Sequence, residues 1–151
     1  MPAETAESVK FIVLSSVGLT KSSHKRLPFL LRLFYGGFLH VPHVDKLGME
    51  RAVAYAANLP WTEGEPEAGI FQDGWKSQLP QSGFLKHALV VRAALLTDGK
   101  CIGDEKDANA YRASKEELGG YTVSRKDVAH FIVEQALKDW PKYEGWINVG
   151  Y

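Results

Sequence analysis

The chain is short of several things, and each shortage closes off a class of function. Of its 151 residues only one, Cys101, is a cysteine, so no internal disulfide can form, no thiolate cluster can hold a metal, and a reducing compartment is expected. Lysine plus arginine and aspartate plus glutamate total 18 each, so no net field draws the protein to nucleic acid or to an acidic membrane surface. No apolar run approaches the ~20 residues needed to span a bilayer. The first eight residues, Met-Pro-Ala-Glu-Thr-Ala-Glu-Ser, lack the basic start and apolar core of a signal peptide. A soluble, cytoplasmic single domain is the expectation, with neither a nucleic-acid nor a membrane partner.

What is present begins with Val9–Gly18, Val-Lys-Phe-Ile-Val-Leu-Ser-Ser-Val-Gly, an apolar run rich in β-branched residues that ends at two hydroxyls and a glycine. Continuous apolarity predicts a parallel strand covered on both faces. Ligands of such sheets sit beyond the carboxyl ends of the strands, which places Ser15, Ser16 and Gly18 as candidates to meet a cofactor or substrate. The plainer reading, residues that simply end a strand, stays open.

Further along, Leu27, Leu30, Leu31, Phe34 and Phe38 have helical spacing, preceded by the basic cluster Lys21, His24, Lys25 and Arg26. A second helix is predicted from Pro42 to about Asn58, on the stripe Met49, Ala52, Val53 and Ala56. Residues 60–83 carry neither period and read as a long loop, a structural flap or a substrate-covering lid, with Trp61, Phe71 and Trp75 arguing against plain disorder. Leu85–Leu96 is a second buried-type strand, interrupted where Arg92 is expected to surface. Segments around Tyr111-Arg112 and Tyr121–Val123 are expected to pair with each other. Ser124 opens a helix to about Lys138 with Asp127 in capping-box spacing, and Trp146–Tyr151 forms a last strand. The order predicts an α/β protein with a mostly parallel sheet.

Four motifs carry a resemblance: Phe-Ile-Val-Leu-Ser-Ser-Val-Gly (11–18), Asp-Lys-x-x-Met-Glu (45–50), Val-Val-Arg-Ala (90–93) and Thr-Val-Ser-Arg-Lys-Asp-Val-Ala-His-Phe-Ile (122–132). In this order they resemble the C-terminal half of an atypical short-chain dehydrogenase/reductase of the NmrA-like, NAD(P)H-binding kind. The resemblance implies a partial Rossmann-like fold without the N-terminal glycine-rich βαβ unit, because no Gly-x-Gly-x-x-Gly occurs anywhere in the chain. It implies a truncated or split domain with 60–83 as an insertion, weak or incomplete NAD(P) binding, a small-molecule substrate, and self-association through an open sheet edge.

By the same resemblance Ser16 matches a strand-end serine that contacts substrate or cofactor, and Lys46 a helix lysine that binds the nicotinamide ribose. The active-site tyrosine expected four residues before that lysine is here Pro42, which leaves His43 as the nearby titratable group. Ser15, Ser16, Lys46 and Arg92 are the cofactor-side candidates, and Lys46, Ser16 and His43 the catalytic ones. Arg125 is expected to be structural, paired with Asp127 or a neighbouring acid. No metal spacing links the histidines. Three readings stay open: part of an NAD(P)-dependent oxidoreductase, a non-catalytic nucleotide-sensing or interaction module, and an inactive fragment.

Overall fold

A computed structural model describes residues 9–19, 40–106 and 109–151. The predicted helix at 27–40 and the basic cluster before it fall almost wholly outside these residues. The architecture is α/β: strands β1 (Lys10–Ser16), β2 (His87–Ala93), β4 (Arg112–Ser114) and β6 (Gly145–Gly150) form a four-stranded sheet in the order β1-β2-β6-β4, and β3 (Leu95–Thr97) pairs with β5 (Thr122–Ser124) in a two-stranded one. The helices are α1 (His40–Ala56), α2 (Gly103–Lys106), α3 (Arg125–His130, continuing as a π-helical segment over Phe131–Ala136) and α4 (Trp140–Tyr143). The chain divides into two compact units, one running to Phe11 and resuming over Gly18–Ala88, the other made of Ile12–Val17 and Leu89–Tyr151.

The first unit is organised by α1. Its last turn closes as a Schellman motif: the Leu59 N–H donates to Ala54 O (2.9 Å), the Asn58 N–H donates to Tyr55 O (3.3 Å), and Asn58 takes φ 53°. Asparagine tolerates that left-handed conformation better than any β-branched residue, which is why the helix stops there. The long loop that follows straps back along the helix. Ile70 rests against Gly48, where an added Cβ would stand 2.4 Å from its Cγ2. Arg51 lies between Trp61 (5.7 Å) and Trp75 (5.6 Å) and donates to Glu65 at 2.6 Å. Trp75 in turn stacks on Phe71 and meets the edge of Tyr55. The Ser82 hydroxyl and the Leu85 N–H return the chain to the carbonyls of Tyr55 (2.8 Å) and Ala56 (2.9 Å). The aromatics of this loop are thus its docking residues.

In the second unit β2 and β6 run parallel, with Leu89 beside Gly145, Val91 beside Ile147 and Ala93 beside Val149. Leu89, Val91, Ala93, Ile147 and Val149 face one side and form the core with Val128, Phe131 and Ala136 of the α3 segment and with Tyr111, Trp140 and Tyr143. β2 is buried on both faces, as its continuous apolar run requires.

Three expectations are corrected. β1 is not covered on both faces, since Phe11 is 41% and Leu14 45% exposed, although among the described residues it does lie at the edge of the sheet. Arg112–Ser114 and Thr122–Ser124 do not pair with each other: the first lies antiparallel to β6 and the second parallel to β3, because each finds a longer-range partner. Arg92 does not surface but is half-buried, its guanidinium 4.5 Å from the centroid of the Trp146 ring. Arg125, expected to pair with Asp127 or a neighbouring acid, takes the second of these partners, the exposed Asp98 (2.6 Å).

Candidate functional site

The carboxyl ends of three strands meet at one end of the sheet. The Val17 N–H donates to Ala93 O (2.9 Å), just past the end of β1, and the Ala94 N–H donates to Val149 O (2.9 Å), just past the end of β2. In a parallel ladder an N–H bonds the carbonyl preceding its register partner, so the first bond sets Val17 beside Ala94 and therefore Ser15 beside Arg92. Arg92 in turn stands beside Asn148, and Asn148 beside Ser114. Four polar side chains thus form a row across four adjacent strands near their carboxyl ends. They lie on the sheet face opposite the core residues Val91, Ala93, Ile147 and Val149, because side chains alternate along a strand.

Within this row Ser15 is 2% exposed and its Oγ has no hydrogen-bond partner among the described residues. Asn148 is also buried and turns its Nδ2 to Glu116 O (3.0 Å) and Ser114 O (3.5 Å), which leaves Oδ1 as its remaining polar atom. The Ser114 hydroxyl is used locally, accepting from the Glu116 N–H (3.0 Å). The Arg92 guanidinium lies over the Trp146 ring, a cation–π contact.

The structure brings together Ser15 and Arg92 among the residues singled out from the sequence. Ser16 is half-buried on the opposite face of β1, with Ile12, which packs against the core. His43 and Lys46 are three residues apart on α1, both half-buried, and lie on the same helix face as the fully buried Glu50. They belong to the first unit, Ser15, Ser16 and Arg92 to the second.

Two polar networks were not legible as such. Asp127, fully buried, accepts from the Gly103 N–H (2.7 Å) through Oδ1, and from the Ser124 hydroxyl (2.8 Å) and the Tyr151 phenol (2.6 Å) through Oδ2. The Ser124 Oγ caps α3 by accepting from the Asp127 N–H (2.9 Å), as the spacing predicts, and the Ser124 N–H donates to the Tyr151 hydroxyl (3.1 Å). Burial pushes the Asp127 carboxyl up, but the donated hydrogen bonds of Tyr151, Gly103 and Ser124 outweigh it and hold it below the usual carboxylate range. Cys101, beside the same carboxylate, is pushed up by burial and by the nearby acids, the setting of an unreactive thiol. The second network runs from the Tyr143 hydroxyl to Gln135 Oε1 (3.1 Å), from Gln135 Nε2 to the Tyr111 hydroxyl (3.0 Å), and from Tyr111 to His130 Nδ1 (2.7 Å).

Compared with known proteins, the chain is similar to "Reductase pytE" of Aspergillus terreus, with 31% identity over 136 residues, covering 89% of this chain and 44% of that protein. It is also similar to "Oxidase pynE" of Aspergillus niger, with 44% identity over 141 residues, covering 91% of this chain and 42% of that protein. The chain therefore spans less than half the length of these curated relatives. No protein-family model and no solved structure matches it. No helix among the described residues is long and apolar enough to cross a membrane.

Proposed function

We propose that this chain forms the nicotinamide- and substrate-side part of an NAD(P)-dependent oxidoreductase of the NmrA-like, atypical short-chain dehydrogenase/reductase kind. The observation that carries the reading is similarity along about nine-tenths of the chain to two proteins named for redox chemistry, one a reductase and one an oxidase. The fold supports it: a mostly parallel sheet offers its carboxyl end to ligands, and there Ser15, Ser16 and Arg92 stand. Lys46 is assigned the nicotinamide ribose and His43, one turn away, the exchange of a proton, since Pro42 occupies the position where the family resemblance expects a phenol.

The chain holds no Gly-x-Gly-x-x-Gly turn to cradle a pyrophosphate, so its own share of the cofactor contact is small and binding is weak, with a dissociation constant of about 1 mM or higher. Calorimetric titration with NADPH and with NADH tests this. Weak saturable binding that is lost in Lys46→Met is expected. No binding of either nucleotide, or binding indifferent to Lys46, overturns the cofactor assignment, and tight stoichiometric binding overturns the half-site. Pro42 favours a second reading, a nucleotide-binding module without turnover. Binding without oxidation of the reduced nucleotide in the presence of carbonyl acceptors would select it.

A further inference from the structure

Helix α1 has two contrasting sides. At about 100° per residue, His43, Lys46 and Glu50 project to one side, and Gly48, Arg51 and Tyr55 to nearly the opposite one. The second side is where residues 60–83 dock, within the same compact unit. A glycine inside a helix is unfavourable relative to alanine, and here it makes the seat for Ile70, whose Cγ2 would stand 2.4 Å from an added Cβ. The Arg51 side chain is only 11% exposed. It lies 5.7 Å from the Trp61 ring and 5.6 Å from the Trp75 ring, and its Nε and Nη2 both donate to Glu65 Oε1, which also accepts from Lys76 Nζ (3.2 Å). Tyr55 closes the row: its ring meets the edge of Trp75, and its carbonyl accepts from the Ser82 hydroxyl and the Gly83 N–H (3.3 Å).

We infer that residues 60–83 are a fixed back-strap and not a lid, and that Arg51 is the positioning residue through which the strap sets the His43–Lys46 side of α1. The inference rests on the oxidoreductase reading for what that side binds, and goes beyond it by giving Gly48, Arg51 and the strap a role. A lid would have to close over the side that meets the ligand, whereas this strap is committed to the other. A guanidinium held between two indoles and bonded along its edge to a carboxylate has little room to move, so the helix that carries it has little room to turn. Lys46 lies little more than one turn from Arg51, and rotation at one is rotation at the other. Between them stands Gly48, the position at which the helix bends most easily, and Ile70 is packed on that position.

The test combines calorimetric titration of the whole chain with NADPH and amide hydrogen exchange followed by NMR. Gly48→Ala raises the intrinsic helix propensity of α1 but drives a Cβ against Ile70, so it displaces the strap without weakening the helix itself. Arg51→Met keeps a long side chain and removes the charge held by Glu65 and the two indoles. Both are expected to weaken NADPH severalfold and to speed exchange at 43–50 about tenfold, with Val91 and Ile147 of the second unit unchanged. Asn58→Val loosens the end of α1 but leaves Gly48 and Arg51 in place, and it is expected to bind NADPH as the unaltered chain does. Saturating NADPH is expected to leave exchange at 61–78 unchanged. Unchanged affinity in both Gly48→Ala and Arg51→Met, or an equal loss in Asn58→Val, overturns the positioning role and leaves the oxidoreductase reading standing. Protection of 61–78 by the nucleotide overturns the strap and shows a lid. If the unaltered chain binds no nucleotide, the cofactor reading has failed by itself and exchange at 43–50 decides: unchanged rates in both variants overturn the inference, and faster rates uphold it.

Discussion

Replacing Asp127 by alanine should cost the second unit about 4 kcal/mol of stability. The carboxylate accepts three well-formed hydrogen bonds, from the Gly103 N–H (2.7 Å), the Ser124 hydroxyl (2.8 Å) and the Tyr151 phenol (2.6 Å), and it is fully buried. A bond to a charged group contributes about 1.5–3 kcal/mol, and three would sum to more than 4 if they were independent. They are not, since the two hydroxyls can rotate to other acceptors whereas the fixed Gly103 N–H cannot, so the cost falls below that sum, at about 4 kcal/mol. A domain of ordinary stability, about 5–15 kcal/mol, would lose a large part of it. Urea denaturation followed by circular dichroism reads the effect as a fall in midpoint at unchanged slope. Asp127→Asn keeps an acceptor for Gly103 and should cost only about half as much. It should also remove a pH dependence. The folded carboxyl lies below its unfolded value near 3.9, so its stabilisation is complete above that value and is lost as the pH falls through the folded value; the asparagine protein should lack that component of acid unfolding. A midpoint shift in Asp127→Ala worth less than about 1 kcal/mol would refute the reasoning, because it would mean that water satisfies these donors once the carboxylate is gone.

Gly103→Ala places a Cβ 2.7 Å from the His130 ring and should destabilise by about 1–3 kcal/mol; an unchanged thermal midpoint would show that the ring can swing aside. Gly120→Ala sets its Cβ 2.0 Å from the backbone oxygen of Tyr151, so loss of soluble folded protein on expression is expected, and a normally folded variant would contradict the close approach of these two strand ends. Asn58→Gly should stabilise the end of α1 by a few tenths of a kcal/mol while Asn58→Val weakens it by about 1 kcal/mol or more, measured by thermal unfolding, because position 58 sits at φ 53°. β1 presents an edge with Phe11 and Leu14 exposed, so concentration-dependent self-association is expected in sedimentation velocity and should diminish in Leu14→Lys; a strictly monomeric species at every concentration would sink the idea.

How much of this the sequence carried depends on the distance over which each signal acts. Local signals were readable: the Ser124–Asp127 cap, the stop of α1 near Asn58 and the buried run of β2 all follow from neighbours within a few residues. Pairing was not. Three-residue strands such as Arg112–Ser114 and Thr122–Ser124 carry too little pattern to choose a partner, and each joined a strand more than twenty residues away. The open edge was expected from the resemblance alone, since an apolar run such as that of β1 reads the same whether a neighbouring strand covers it or not.

The same limit shaped what could be said of the site. Ser15 and Ser16 were singled out as one pair at a strand tip, yet alternation along β1 sends them to opposite faces, so at most one of them can share a ligand with Arg92. Which one is decided by a single backbone bond, Val17 N–H to Ala93 O, because shifting the register by one residue would exchange the two serines. The carboxyl-end rule selects a region of the sheet, and register then selects the residue: Ser15, buried without a partner, on the face that Arg92 and Asn148 share. Ser16 faces the core side with Ile12, where α3 packs, and its match to a family serine that contacts the substrate is the weaker of the two assignments on that ground. A ligand seen by both serines at once would require β1 to leave the ladder at Ser15, and the intact bond at Val17 argues against such a break.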